Sequence, residues 1–100
     1  MSLASRADYE QLLSAVRSVV HRWDPYGLLA GGAPQDEFDR EIALVAARIR
    51  DIKTEKDAIQ VLSSVFTDAF EAEPFTPQLC STPGKELFAA LRNGGFLQVV

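Results

Sequence analysis

The hydrophobic positions of the chain fall into four helical patterns, and no segment has the alternation of a strand. The first pattern runs from about Ser5 to Trp23, with apolar residues spaced so that they share one stripe of an α-helix. The residues of this stripe are Tyr9, Leu12, Leu13, Val16, Val19, Val20 and Trp23. The helix is expected to end at Asp24-Pro25-Tyr26-Gly27, because a residue before proline avoids the α region. Asp, Pro and Gly at these positions are also typical of a type I turn.

The second helix is predicted to follow an apolar loop, residues 28–33, whose Leu28 and Leu29 are expected to cover one end of the core. It begins at Pro34 to Asp36, since proline and acidic residues suit a first helical turn. Its apolar residues form a narrow seam that suits an antiparallel neighbour. The seam consists of Phe38, Ile42, Val45, Ile49 and Ile52, and the basic residues Arg48, Arg50 and Lys53 are expected in the last turn.

The third helix is predicted to begin after Thr54, which forms a capping box with Asp57. It ends by Glu73-Pro74, and its predicted buried side consists of Ile59, Leu62, Val65, Phe66, Ala69 and Phe70. After an irregular stretch, residues 75–80, a short fourth helix is capped by Ser81 or Thr82 and ends at Asn93-Gly94-Gly95. Its packing residues are Leu87, Phe88 and Leu91.

These elements predict an all-α, four-helix bundle-like single domain over residues 1–100, with three long helices and one short C-terminal helix. We treat residues 1–3 as a candidate cloning remnant. The apolar tail, residues 96–100, either docks on the bundle or frays.

Composition narrows the class of protein. Hydrophobic residues make up 47% of the chain and charged residues 24%, which excludes a disordered chain, and no apolar run approaches the length of a membrane span. The net charge of −4 disfavours a nucleic-acid partner. Because no basic segment followed by an apolar run opens the chain, we expect no signal peptide and a cytoplasmic location.

One region resembles a known family. The segment WDPYGLL at residues 23–29 is followed by GAPQDEFDRE at residues 32–41. This pattern resembles the YugE-like family of small bacterial proteins, with its WDP-G turn and AP-x-DE-aromatic-D helix start, most clearly over residues 9–45. The resemblance implies an all-α bundle and a bacterial source, and it supplies no activity.

The same region contains a candidate metal site. Its carboxylates offer oxygen ligands near His21, and they are Asp24, Asp36, Glu37, Asp39 and Glu41. However, acidic residues in a first turn stabilise the helix dipole without any ion, and the chain has no second histidine. We therefore expect no metal and no cofactor. The glycines between Gly27 and Gly32 match no phosphate-loop pattern, so a flexible apolar loop is the better interpretation of residues 28–33.

Two further side chains are candidates for chemistry or binding. Cys80 and His21 are the only residues of their types, and a nucleophile–base pair is one interpretation of them. We prefer a bystander cysteine, with a thiol pKa lowered by the neighbouring helix start, and a histidine on the solvent face of the first helix. Trp23 ends an apolar stripe, which favours a core position over an exposed binding anchor.

The charges at the end of the third helix run against the preference of the helix dipole. Between Asp57 and Gly84 there is no lysine or arginine, and Asp68, Glu71 and Glu73 crowd a helix C-terminus, where the dipole disfavours negative charge. Such a patch suits a basic partner, although a solvated acidic face that aids solubility is an equally good interpretation.

These observations favour a non-enzymatic, protein-binding module of bacterial origin. The predicted partner surface is Asp68, Glu71 and Glu73, with a second surface at Trp23, Asp24, Pro25, Asp36, Glu37 and Asp39. The partner is expected to be a protein with a basic surface, or a second copy of the chain paired through the helix-two seam. The alternative is a small-molecule or metal-binding bundle with a carboxylate-lined site at Asp24, Asp36, Glu37 and Asp39.

Overall fold

The computed structural model describes residues 6–97, and every regular element in that range is helical. The four α-helices are α1 (Arg6–Trp23), α2 (Asp39–Ala47), α3 (Glu55–Ala69) and α4 (Ser81–Asn93). Three short 3-10 helices lie between them, at Pro25–Gly27, Ile49–Asp51 and Glu73–Phe75. The all-α class predicted from the hydrophobic pattern is therefore confirmed.

The helices enclose one core. α1 and α3 each pack against both α2 and α4. Side chains that are fully buried in this core include Leu12, Val16, Val19, Val20, Phe38, Ile42, Val45, Leu62, Phe66, Phe75, Leu87 and Leu91. Leu28 and Leu29 pack against the core as predicted, and so does the first part of the tail, since Phe96 and Leu97 are buried. Residues 1–5 and 98–100, with the candidate cloning remnant and the end of the tail, lie outside the described residues.

The second helix is shorter than predicted. α2 has 9 residues and begins at Asp39 rather than at Pro34 to Asp36, because residues 34–39 form successive i→i+3 turns, with Asp39 N donating to Asp36 O at 3.0 Å. It ends at Ala47, where Arg48 leaves helical geometry (φ −102°, ψ 18°). Arg48, Arg50 and Lys53 therefore follow the helix instead of forming its last turn. The C-terminal helix was predicted to be the short one, but α4 has 13 residues and is longer than α2.

The capping predictions have mixed outcomes. The Thr54–Asp57 capping box is present, since Asp57 N donates to Thr54 Oγ1 and the Asp57 carboxylate accepts from Thr54 N, both at 3.1 Å. α4 ends in a Schellman motif at Gly95, as predicted from its glycines. Neither Ser81 nor Thr82 caps α4, because the N-cap position falls on Cys80, which makes no side-chain capping bond.

The inner faces of α1 and α3 also differ from the predicted stripes. Tyr9 is 40% exposed at the outer end of α1. In α3 the buried face is rotated toward Ala58, Val61 and Ser63, and Ala69 and Phe70 are exposed. The burial of Ser63 has a physical reason that the hydrophobic pattern does not encode. Ser63 Oγ donates to the carbonyl oxygen of Phe75 at 2.6 Å and ties α3 to the following 3-10 helix.

Gly84 allows α3 and α4 to approach closely. A Cβ added at Gly84 would lie 2.8 Å from the Cα of Ile59, and backbone cannot yield to that contact as a flexible side chain would. Gly84 is thus required by packing, although glycine disfavours a helix interior by about 1 kcal/mol relative to alanine.

We predict that Gly84→Ala destabilises the protein by about 1–3 kcal/mol, as overpacked core substitutions do. Urea unfolding followed by circular dichroism measures this change. Helix propensity alone predicts the opposite sign, so a variant more stable than the wild type would show that the contact with Ile59 is not tight.

Candidate functional site

The turn after α1 holds two non-glycine residues in the left-handed region. Asp24 has φ 46° and Tyr26 has φ 63°. Gly27 N donates to Asp24 O at 2.8 Å, which closes the turn. A type I turn requires a negative φ at its third residue, so the predicted type I turn is wrong. Residues other than glycine rarely adopt left-handed backbone conformations unless the surrounding structure imposes them. Tyr26 is therefore held in place by its neighbours.

The Asp24 carboxylate organises the segment that follows the turn. Its two oxygens accept from Leu29 N at 2.8 Å and from Ala30 N at 3.0 Å. Residues 28–31 form a single helical turn, which closes in a Schellman motif at Gly32 as Ala33 N donates to Leu28 O at 2.9 Å. The predicted flexible loop is thus a hydrogen-bonded turn with an acidic cap.

Six of the nine aromatic side chains of the protein form one connected cluster. Its members are Trp23, Tyr26, Phe38, Phe66, Phe70 and Phe75. Phe66 lies at its centre, with its ring centroid 4.8 Å from Trp23, 5.4 Å from Phe75 and 6.0 Å from Phe70. Trp23 is half-buried in this cluster, where it joins α1 to α3 across the core.

The cluster reaches the surface at Tyr26 and Phe70, which are 50% and 39% exposed. Their rings meet edge to face with centroids 5.7 Å apart. The Tyr26 hydroxyl donates to Glu71 Oε2 at 2.7 Å, and this hydrogen bond is the main reason that the pKa of Tyr26 is raised above its ordinary value. We call the surface formed by Tyr26, Phe70 and Glu71 the aromatic–acidic surface.

The three predicted partner-binding acids belong to three different segments of the chain. α3 ends at Ala69, not at Glu73-Pro74, so Asp68 alone lies in its last turn. Glu71 belongs to the aromatic–acidic surface, and Glu73 begins the next 3-10 helix. All three are exposed, and within residues 6–97 none of them forms a salt bridge.

The residues of the second predicted surface differ in exposure and in what they contact. Pro25 is buried, whereas Asp36 and Glu37 are exposed in the turns before α2. Asp39 forms an ion pair with Arg17 of α1 at 3.8 Å. The Asp24 carboxylate is occupied by backbone N–H groups. Among the described residues, no group of three or more His, Cys, Asp or Glu side chains could hold a metal ion.

Cys80 and His21 differ from their sequence interpretation. Cys80 is fully buried, and burial raises the pKa of its thiol to about 11, although the start of α4 was expected to lower it. The thiol is therefore protonated at neutral pH. His21 is half-buried rather than on the solvent face, and its Nε2 is enclosed without a hydrogen-bond partner among the residues described.

A groove of about 340 Å³ separates the outer faces of α2 and α3. The residues that line this α2–α3 groove are Arg40, Glu41, Leu44, Ala47, Arg48, Ser64, Val65, Asp68 and Ala69. Glu41 is only 6% exposed. Burial is the largest influence on its carboxyl and raises its pKa, more than its own backbone N–H and the Arg40 charge lower it.

The sequence analysis did not identify Tyr26 or Phe70 as exposed residues of a candidate site, and it did not predict the burial of Glu41. A signal for Glu41 was present, because it lies three residues after Phe38 and four before Val45, beside the apolar seam of α2. Tyr26 and Glu71 are 45 residues apart, and no local pattern connects them.

Comparison of the chain with protein-family models, with curated proteins and with solved structures found no match. The resemblance of residues 9–45 to the YugE-like family stays a prediction. Among the described residues, no helix combines the length and the apolar character that a membrane span requires.

We predict that Glu41→Gln raises the melting temperature at pH 7, because the wild-type protein must bury a charged carboxylate there. A raised pKa means that the folded protein binds the Glu41 proton more tightly than the unfolded chain does. The advantage of the variant should therefore shrink as the pH falls through the raised pKa, and disappear below the ordinary glutamate value of about 4.5. Melting curves between pH 3 and pH 7 measure it, with Glu86→Gln, at an exposed glutamate of α4, as control. Equal melting temperatures for wild type and Glu41→Gln at pH 7 would contradict the burial argument.

Proposed function

We propose that the chain is a non-enzymatic protein-binding module that recognises a partner with a basic surface. The observation that carries this proposal is Tyr26, a half-exposed aromatic residue held in left-handed geometry against Phe70 and Glu71. A side chain fixed in this way loses little conformational freedom on binding, which favours affinity.

The chemistry of the aromatic–acidic surface suits an arginine-rich partner. Guanidinium groups stack on tyrosine and phenylalanine rings, and they pair with carboxylates. Asp68 and Glu73 are exposed and lie two and three residues from Phe70 in the chain, so they add negative charge to this segment. Charge of one sign around an interface accelerates the encounter with an oppositely charged partner.

Several observations favour this function over the alternatives. The buried, protonated Cys80 does not suit a nucleophile, and Asp24 and Asp39 already bind groups within the chain. The apolar seam of α2 is covered by the chain itself, with Phe38 and Ile42 fully buried, which favours a different protein over a second copy as partner. The packing of α1 and α3 against both other helices supports a four-helix bundle-like arrangement. A bacterial source and a cytoplasmic location stay predictions.

A peptide of alternating arginine and glycine tests the proposal. We expect the wild-type protein to bind a fluorescent version of this peptide, with affinity that falls as salt rises. Glu71→Lys/Glu73→Lys should abolish the binding. Tyr26→Ala/Phe70→Ala should weaken it roughly fivefold or more, since the variant removes two rings and each exposed cation–π contact is worth about 0.5–1 kcal/mol. Fluorescence anisotropy measures all three proteins.

The matched control is Asp36→Lys/Glu37→Lys, which changes the net charge by the same amount on the second predicted surface. This control should retain much of the affinity. Equal loss in both charge variants would reduce the binding to net charge and overturn the proposed site. The absence of salt-dependent binding by the wild-type protein would overturn the proposed function.

A further inference from the structure

The α2–α3 groove contains a buried carboxylate without a partner in another residue. Glu41 is 6% exposed, and none of the hydrogen bonds or ion pairs among residues 6–97 joins its carboxylate to a different residue. Burial disfavours the charged form of a carboxylate, and at Glu41 only the residue's own backbone N–H and the charge of Arg40 oppose that effect. Groups of this kind are candidates for ligand contacts, since a ligand of opposite charge supplies the missing partner.

The groove walls are apolar above this carboxylate. Leu44 on α2 and Val65 and Ala69 on α3 form the walls, and Leu44 is 43% exposed although it is a large aliphatic side chain. Ser64 adds a hydroxyl group to the same lining. The lining of the groove therefore combines apolar side chains with two kinds of oxygen acceptor, the Glu41 carboxylate and the Ser64 hydroxyl.

The basic side chains at the groove do not neutralise Glu41 directly. Arg48 Nε points to Asp51 Oδ2 at 3.3 Å, and Arg40 forms no ion pair within 4.0 Å of any described carboxylate. The charge of Arg40 lowers the pKa of Glu41, but burial raises it by more. Among the described residues, the Glu41 carboxylate therefore forms no ion pair with a basic side chain.

We propose that the α2–α3 groove binds an arginine side chain of the basic partner, with its guanidinium on Glu41 and its aliphatic stem along Leu44 and Val65. This inference rests on the proposed function and names a specificity site within it. Arginine fits better than lysine because its guanidinium is more weakly hydrated and forks to two acceptors, here the Glu41 carboxylate and the Ser64 hydroxyl. The groove, with a volume of about 340 Å³, has room for one long side chain.

The groove and the aromatic–acidic surface use consecutive residues at the end of α3. Asp68 and Ala69 line the groove, and Phe70 and Glu71 follow them directly in the chain. One partner segment can therefore contact both places, with one arginine in the groove and another on Tyr26 and Phe70.

The test is an NMR titration with a blocked pentapeptide that carries one arginine between alanines. Matched peptides carry lysine or the neutral analogue citrulline. We expect saturable shifts of the Leu44, Ser64, Val65 and Ala69 amides with the arginine peptide, at least tenfold weaker binding with lysine and none with citrulline. Glu41→Gln should weaken arginine binding at least tenfold, whereas Glu86→Gln, the same change at an exposed carboxylate of α4, should leave it unchanged.

The outcomes separate this inference from the proposed function. Shifts confined to Tyr26, Phe70 and Glu71, unaffected by Glu41→Gln, would overturn the groove assignment and leave the aromatic–acidic surface as the binding site. Equal binding of the lysine or citrulline peptide in the groove would overturn recognition of arginine. No saturable shift at either place would overturn both. Because Glu41→Gln is expected to be at least as stable as the wild type, its loss of binding is not a loss of fold.

Discussion

The pair of hydrogen bonds from the Leu29 and Ala30 backbone to the Asp24 carboxylate is the constraint on which the surface of this protein depends. Two residues in left-handed or otherwise rare geometry together cost about 2–6 kcal/mol. Two hydrogen bonds to a charged acceptor return about 3–6 kcal/mol when both are well formed. The carboxylate therefore offsets the strain at Asp24 and Tyr26, and without it the turn would relax toward ordinary backbone conformations.

The aromatic cluster connects the turn to the core of the fold. Trp23 ends α1 directly before the turn, and its ring contacts Phe66 of α3. Tyr26 lies within 5.6–5.7 Å of Phe75 and Phe70 by ring centroid. One end of the cluster is thus fixed in the core, and the other presents rings to solvent. A partner that contacts Tyr26 would contact a residue supported by the rings of Phe70 and Phe75.

Local signals in the sequence predicted what depends on near neighbours. The Thr54–Asp57 capping box and the stop of α4 at Gly95 each involve residues within a few positions of one another, and the structure confirms both. The early end of α3 was not predictable in this way, because Phe70 leaves the helix (φ −123°, ψ −88°) where it packs on Phe38 and Tyr26, far away in the chain. The candidate site shows the same division. The charge of Glu71 is visible in the sequence, whereas its hydrogen bond to Tyr26 depends on tertiary packing.

The titration of the Tyr26 phenol tests most directly whether Asp24 sets the position of Tyr26. NMR resolves this phenol from that of Tyr9, and its pKa is raised by the hydrogen bond to Glu71. The account predicts that Asp24→Ala returns the Tyr26 pKa to its ordinary value of about 10, while Asp24→Asn, which keeps one acceptor and tolerates left-handed geometry, retains most of the shift. A Tyr26 phenol that still titrates above its ordinary value in a folded Asp24→Ala protein would show that the aromatic contacts alone hold Tyr26, and the central role of the Asp24 carboxylate would be contradicted.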